Sequence, residues 1–216
     1  MDTWIFDLDN TLYPATSAVF TQVEGRIRDY IADYFALSKD DAFRLQKKYF
    51  LEHGTTLKGL MALHGVDPTP YLDYVHDIDV SMVDRHPRLE RALSALPGRR
   101  LIFTNANVAH AHRIMDRLGV RHLFDGIFDI ADARYVPKPA PEIYRSLVER
   151  HRIHPASSIL IDDLPRNLEP AAALGMTTVW MRTAVPWGQE GGDAPYVHHA
   201  TDDLVEWLEA ARPRRP

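Results

Sequence analysis

Near the N-terminus, Trp4-Ile5-Phe6-Asp7-Leu8-Asp9-Asn10-Thr11-Leu12-Tyr13 sets two carboxylates and a hydroxyl at i, i+2 and i+4 behind a hydrophobic run. Side chains alternate faces along an extended chain. If that path persists beyond Phe6, then Asp7, Asp9 and Thr11 point roughly the same way. Carboxylates brought so close repel, and pairing or protonation must compensate. A hard dication such as Mg2+ is the simplest remedy, because it takes oxygen ligands. A carboxylate beside such a cation can attack a phosphoryl group and form a covalent intermediate. The plain alternative is a buried strand running into a polar turn, and the rest of the chain weighs against it.

Three further polar clusters follow apolar runs. Residues 100–104 read as a strand ending in Thr104-Asn105, and 158–163 as another ending in Asp162-Asp163. Residues 126–130 read as a short strand, followed after a loop by Lys138 within Tyr135-Val136-Pro137-Lys138-Pro139-Ala140-Pro141. Helical patterns fill the gaps at 108–118, 140–150 and 165–174, with a last clear strand at 177–181 and a closing helix at 202–211. Near-continuous apolar strands alternating with helices imply an α/β fold with a parallel sheet covered on both faces. Sites in such sheets sit at the carboxyl ends of strands, with right-handed crossovers between them. All the suspect clusters obey that rule, which is the strongest argument the residues offer.

Residues 15–85 have a different texture. Val19, Val23, Ile27, Tyr30, Ile31 and Tyr34 recur at helical spacing. Ser38 with Asp41 outlines a capping box for a second helix that Gly54 stops. Thr55 or Thr56 caps a third that Gly65 stops, and Asp67-Pro68 opens a fourth. The expected organisation is a core of 1–14 and 86–216 with an all-helical insert at 15–85 after the first strand.

Bulk properties fit an ordinary folded chain. Its 216 residues are 45% hydrophobic and 25% charged, with net charge −5, so a sequence-independent grip on nucleic acid is not expected. The absence of cysteine excludes disulfides and thiol nucleophiles. No apolar run reaches membrane-span length, and the first strand begins too near Met1 for a signal peptide, so the expected compartment is the cytoplasm. Of the eleven histidines, His110 and His112 do not share a helix face and His198-His199 are adjacent. No pattern here suits zinc. The end Arg212-Pro213-Arg214-Arg215-Pro216 reads as a frayed tail.

Asp7-Leu8-Asp9-Asn10-Thr11 with its flanks resembles the first motif of the haloacid dehalogenase (HAD) superfamily of phosphohydrolases, and Thr104, Lys138 and Asp162-Asp163 resemble the other three. The resemblance implies a Rossmann-like HAD core with a helical cap and an aspartyl-phosphate mechanism. In it Asp7 is the nucleophile and Asp9 the general acid and base, whose backbone carbonyl also ligates Mg2+. Thr104 hydrogen-bonds the transferring phosphoryl group, Asn105 helps hold that group or Asp9, and Lys138 offsets the negative charge. Strand alternation lets only one of Asp162 and Asp163 ligate metal directly. The family pattern favours Asp163, with Asp162 supporting and Asn167 holding a metal-bound water or orienting Asp163. The family more often has Asp where Ala140 stands, which loses a helix cap and no catalytic group.

Residues 49–60, Phe103-Thr104-Asn105-Ala106 with His110-Ala111, and 119–127 are similar to pyrimidine 5′-nucleotidase-like HAD proteins. This implies a Mg2+-dependent phosphomonoesterase whose partner is a small phosphorylated metabolite, a pyrimidine nucleoside 5′-monophosphate first. Tyr49, Gly54 and Lys58 would then face the base or sugar, or belong to the cap's own packing and surface. The alternatives are a HAD phosphatase or phosphomutase for another metabolite, such as a sugar phosphate or phosphoglycolate. A dehalogenase is disfavoured, because that group lacks the acid at the position of Asp9. A non-catalytic binding module would need a broken motif, and none is broken. No nucleic-acid or membrane partner is expected, and monomer and homodimer are both open.

Overall fold

Every residue of β1 (Thr3–Phe6) is buried. Trp4 and Phe6 pack in one hydrophobic cluster and Ile5 in another. A strand that buries both faces needs helices above and below it. In the computed structural model, which describes residues 1–183 and 188–211, β1 is central to a six-stranded parallel sheet. The others are β2 (Arg99–Phe103), β3 (Gly126–Phe128), β4 (Ser158–Asp162), β5 (Thr177–Met181) and β6 (His199–Thr201), in the order β3-β2-β1-β4-β5-β6. The chain winds outward to β3 on one side of β1 and then restarts at β4 on the other. The crevice at that reversal, outside the carboxyl ends of β1 and β4, is where doubly wound sheets bind ligands.

Register fixes what meets there. Phe6 lies opposite Ile102 and Ile161, and Asp7 N–H donates to Ile161 O at 2.9 Å. Asp7 and Asp162, each one residue further on, are therefore level.

The cluster on the Trp4 and Phe6 side takes in α5 (Pro87–Ser94), α6 (Val108–Leu118), α9 (Leu204–Ala210) and the first half of α1 (Val19–Phe35). The Ile5 side is covered by α7 (Pro141–His151) and α8 (Pro165–Ala173). A third cluster joins the second half of α1 to α2 (Lys39–His53), α3 (Thr56–His64) and α4 (Pro68–Val75). Val19 and Val23 belong to the sheet core, Ile31 and Ala32 to the helical layer, so α1 ties one to the other. The caps are those the sequence indicates. Ser38 Oγ accepts from Asp41 N–H, Thr55 Oγ1 from Lys58 N–H, and Asp67 from Thr69 N–H. Ala140 caps α7 without a side-chain bond.

Some expectations shift. The third strand stops at Phe128, because the Asp129 carboxylate turns to accept from Val108 N–H and Asp132 N–H. The first strand stops at Phe6, so Asp7, Asp9 and Thr11 do not share one extended face. α5 and β6 escape the sequence reading. The three residues of β6 are only half-buried or exposed and show no periodicity. No described helix is long and apolar enough to cross a membrane. Residues 212–216, the Pro- and Arg-rich tail, lie outside the described residues.

Candidate active site

The end of β1 delivers Asp7 into the crevice, and the loop after β3 delivers Lys138 against it. The Lys138 ammonium donates to Asp7 Oδ1 at 2.7 Å, Asp162 Oδ2 at 2.6 Å and the Phe103 carbonyl at 3.0 Å. Thr11 Oγ1 donates to the second oxygen of Asp7 at 3.1 Å. Oxygens of Asp7, Asp162 and Asp163 lie within 4.8 Å of one another, and all three residues are buried. The alternation expected for Asp162 and Asp163 fails because β4 ends at Asp162, and past the strand end both carboxylates turn inward.

Three buried carboxylates around one ammonium leave an excess of negative charge. Burial pushes the Asp7 carboxyl up to about 7, with Lys138 pulling down and Asp162 pushing up. Burial, then Asp7 and Asp162, drive Asp163 well above the carboxylate range. Burial alone would lower the Lys138 ammonium, but Asp162 and Asp7 reverse this and raise it. Asp162 is fully engaged: beyond Lys138, its Oδ1 accepts from Leu164 N–H at 2.9 Å and Asn167 Nδ2 at 2.8 Å. Among the described residues, the Asp163 carboxylate has only Asn10 Nδ2, at 3.4 Å. The donor set therefore fits a hard divalent cation, and Asp7 and Asp163 are the carboxylates able to hold it. Asn167, expected to hold a metal-bound water or orient Asp163, donates from α8 to Asp162 and not to Asp163.

The Asp9 carboxylate bonds elsewhere. Its Oδ1 accepts from Tyr13 Oη at 2.5 Å and contacts His110 Nε2 at 2.8 Å. Burial pushes Asp9 up, but His110 and the two hydrogen bonds override it and hold the carboxyl low. A phosphate dianion brought beside it acts in the opposite sense. Asn105, expected near the phosphoryl group or Asp9, lines the crevice, and its Oδ1 accepts from Lys138 N–H at 2.8 Å; it does not touch Asp9. Thr104 is buried and its Oγ1 accepts from Ala106 N–H.

A cavity of about 200 Å³ runs from Asp7, Lys138 and Asp163 to the helical layer. Its far wall is largely apolar, with Phe20, Ile27, Phe50 and Leu72 among the lining residues. Gly54 lines it and Tyr49 and Lys58 do not. The Tyr49 ring packs on Gly59, and its hydroxyl meets His64 Nε2 at 2.7 Å, so it belongs to the packing of the helical layer. The face of α2 that reaches the cavity carries Gln46 and Phe50, one helical turn apart, with Lys47 beside them and ion-paired to Glu24. Arg166, from the first turn of α8, lies over the Phe50 ring. Gln46 and Arg166 were missed because a lone Gln or Arg in a helix reads as surface. The sequence gives His110 a place in the nucleotidase-like resemblance and in the rejected zinc reading but no role in the site, although its position just after a strand-end cluster is a usable signal.

The sheet order and its acid-lined crevice define a Rossmann-like α/β protein. More narrowly, residues 1–175 match the family of haloacid dehalogenase-like hydrolases, and the chain belongs to that family. It is 28% identical over 191 residues to phosphate metabolism protein 8 of Saccharomyces cerevisiae, a match covering 80% of this chain and 59% of that protein. It is also 28% identical over 122 residues to fructose-1-phosphate phosphatase YqaB of Escherichia coli, covering 56% of each. The chain thus spans less than two thirds of either relative. Among solved structures, it resembles a HAD phosphatase from Thermococcus onnurineus with TM-score 0.65 at 18% identity, covering 100% of both chains. An L-2-haloacid dehalogenase from Xanthobacter autotrophicus gives TM-score 0.59 at 17% identity, again covering 100% of both. One fold thus serves phosphatases and dehalogenases alike, so the choice of reaction falls to the side chains.

Proposed function

We propose that this HAD hydrolase is a Mg2+-dependent phosphomonoesterase acting through an aspartyl-phosphate. The observation that carries it is the Lys138 ammonium bridging Asp7 and Asp162 while Asp163 stays poorly paired in the same crevice. Asp7, Asp163 and the Asp9 backbone carbonyl would hold Mg2+, supported by Asp162 and Asn167. Bound there, the cation screens Asp7 from the incoming phosphate and stabilises charge on the transferring oxygens. Asp7 attacks phosphorus as the ester P–O bond breaks, and Asp9 gives its proton to the departing alkoxide. Asp9 then takes a proton from water, which attacks phosphorus as the bond from phosphorus to the Asp7 oxygen breaks, releasing phosphate and restoring the Asp7 carboxylate. Lys138, Thr104 and the Asn105 amide stabilise the phosphoryl oxygens. Helices within 15–85 act as the cap over the core of 1–14 and 86–216, shutting out bulk water.

Among substrates, a nucleoside 5′-monophosphate, with the nucleoside as leaving group, fits best. The apolar wall suits the face of a base more than a ring of hydroxyls. Gln46 lines that wall and its Oε1 is buried without a partner among the described residues, an acceptor for an N–H or O–H of the nucleoside. The relative YqaB, named for a sugar phosphate, favours the second reading, a sugar phosphatase. The cytoplasm is the proposed compartment, in keeping with a chain free of cysteine.

The test is a phosphate-release screen across nucleoside 5′-monophosphates and sugar phosphates, with Mg2+ and with excess EDTA. Preference for nucleotides in Mg2+ and no turnover in EDTA are expected. Preference for fructose 1-phosphate would shift the substrate class, a transferred phosphoryl group without free phosphate would reveal a mutase, and undiminished turnover in EDTA would remove the metal.

A further inference from the structure

The His110 ring is buried to zero side-chain exposure and, among the described residues, makes one hydrogen bond, from Nε2 to Asp9 Oδ1. Three contacts hold it. Its backbone N–H is fixed by Asn107, the N-cap of α6. Its ring face stacks on His76 at 4.5 Å and 19°. The segment carrying His76 is itself gripped from α6, where Arg113 donates to the His76 and Ile78 carbonyls. Nδ1 of both imidazoles is buried without a partner among the described residues. Stranding two polar atoms is costly where phenylalanine would fill the same space, so packing alone does not account for this pair. Burial, then the neighbouring His110, pushes His76 down to about 3, so it backs the stack as a neutral ring.

On Asp9, both bonds converge on one oxygen, His110 from one side and Tyr13 from the other. That occupies Oδ1 and leaves Oδ2 as the oxygen not spent on either bond, on a residue that lines the cavity. A general acid works only when its oxygen is held within hydrogen-bond reach of the leaving atom. Resting on the phosphomonoesterase reading above, we propose that His110, backed by His76, is a positioning residue that aims Asp9 Oδ2 at the leaving-group oxygen. His110 touches neither the phosphoryl group nor the substrate in this role; it acts through Asp9.

The test compares p-nitrophenyl phosphate, whose acidic alcohol departs without a proton, with a nucleoside 5′-monophosphate, whose alkoxide needs one. His110→Phe keeps the stack and removes the donor. His110→Gln keeps an N–H near the place of Nε2. For His110→Phe, kcat/KM on the nucleotide, which reports only the steps through departure of the alcohol, should fall on the order of 100-fold, the lower end of what an acid contributes. On p-nitrophenyl phosphate kcat/KM should change by less than about threefold, while kcat falls on both esters because Asp9 also activates the water that attacks the shared intermediate. His110→Gln should recover most of the lost rate. Equal losses of kcat/KM on both esters, or no loss of it on the nucleotide, would overturn the proposal. Wild type idle on both esters would instead sink the phosphomonoesterase reading. A measurement on the unmutated protein covers the case where the variants do not fold. Long-range 15N–1H imidazole spectra should show a proton on His110 Nε2, with its shift moved by Asp9→Asn, whereas a bare Nε2 refutes the contact.

Discussion

Removing a charge that the proposed chemistry needs should make the metal-free protein more stable. In Asp163→Asn the amide replaces the least compensated carboxylate of the triad, whose only hydrogen-bond partner among the described residues is Asn10 Nδ2 at 3.4 Å. Oxygens of Asp7 and Asp162 stand within 4.8 Å of those of Asp163. At an effective dielectric of ~20, a unit pair at that distance costs about 332/(20 × 4.8), roughly 3.5 kcal/mol. Two such repulsions are set against the attraction of one ammonium shared with both other acids, leaving a net penalty of about 3 kcal/mol. The folded pKa of Asp163 is raised, so the native state binds the proton more tightly than the unfolded chain. Stability is then lost as pH climbs above the unfolded carboxylate value, ~4. The gain from Asp163→Asn should therefore be small near pH 5 and reach its full size by about pH 8. Urea unfolding in EDTA reads this directly, and thermal melts should rise by roughly 6–12 °C at the higher pH. Mg2+ should stabilise the wild type and leave the variant almost unmoved. A variant less stable than wild type in EDTA at pH 8, or equally affected at both pH values, would refute this account of the cluster.

Other outcomes follow from single contacts. Asp7→Asn should abolish phosphate release with little loss of folding, since the amide keeps the volume; near-full activity would remove Asp7 as nucleophile. Gln46→Leu should raise KM for nucleotides by about tenfold, one hydrogen bond's worth, while leaving p-nitrophenyl phosphate unaffected, as steady-state kinetics would show. A Cβ on Gly59 would lie 2.7 Å from Tyr49 Cγ, so Gly59→Ala should cost about 1–3 kcal/mol by denaturant unfolding. Ala140→Asp supplies the missing cap of α7 and should add about 1 kcal/mol in the same assay.

Much of this protein could be read from its residues in order. The continuous apolar run at 3–6, the capped helices at 38–65 and the alternation after residue 99 specified a covered parallel sheet with a helical insert. Each polar cluster could be placed on the sheet's carboxyl rim because strand ends are local features. Asp7, Lys138, Asp162 and Asp163 were legible for that reason, and the structure brings them together. Three things needed the tertiary structure. Spacing gave Asp9 no partner, and only the docking of α6 brings His110, 101 residues away in sequence, against it. Tyr49, Lys58, Gln46 and Lys47 all sit on helical repeats, but only the packing of α2 on α3 decides which face meets the cavity. The division of labour between Asp162 and Asp163 follows from where one ammonium settles. Periodicity along a chain reports which side of an element is buried; which charges share a pocket is decided by chain closure between elements far apart in sequence, and no local pattern records it.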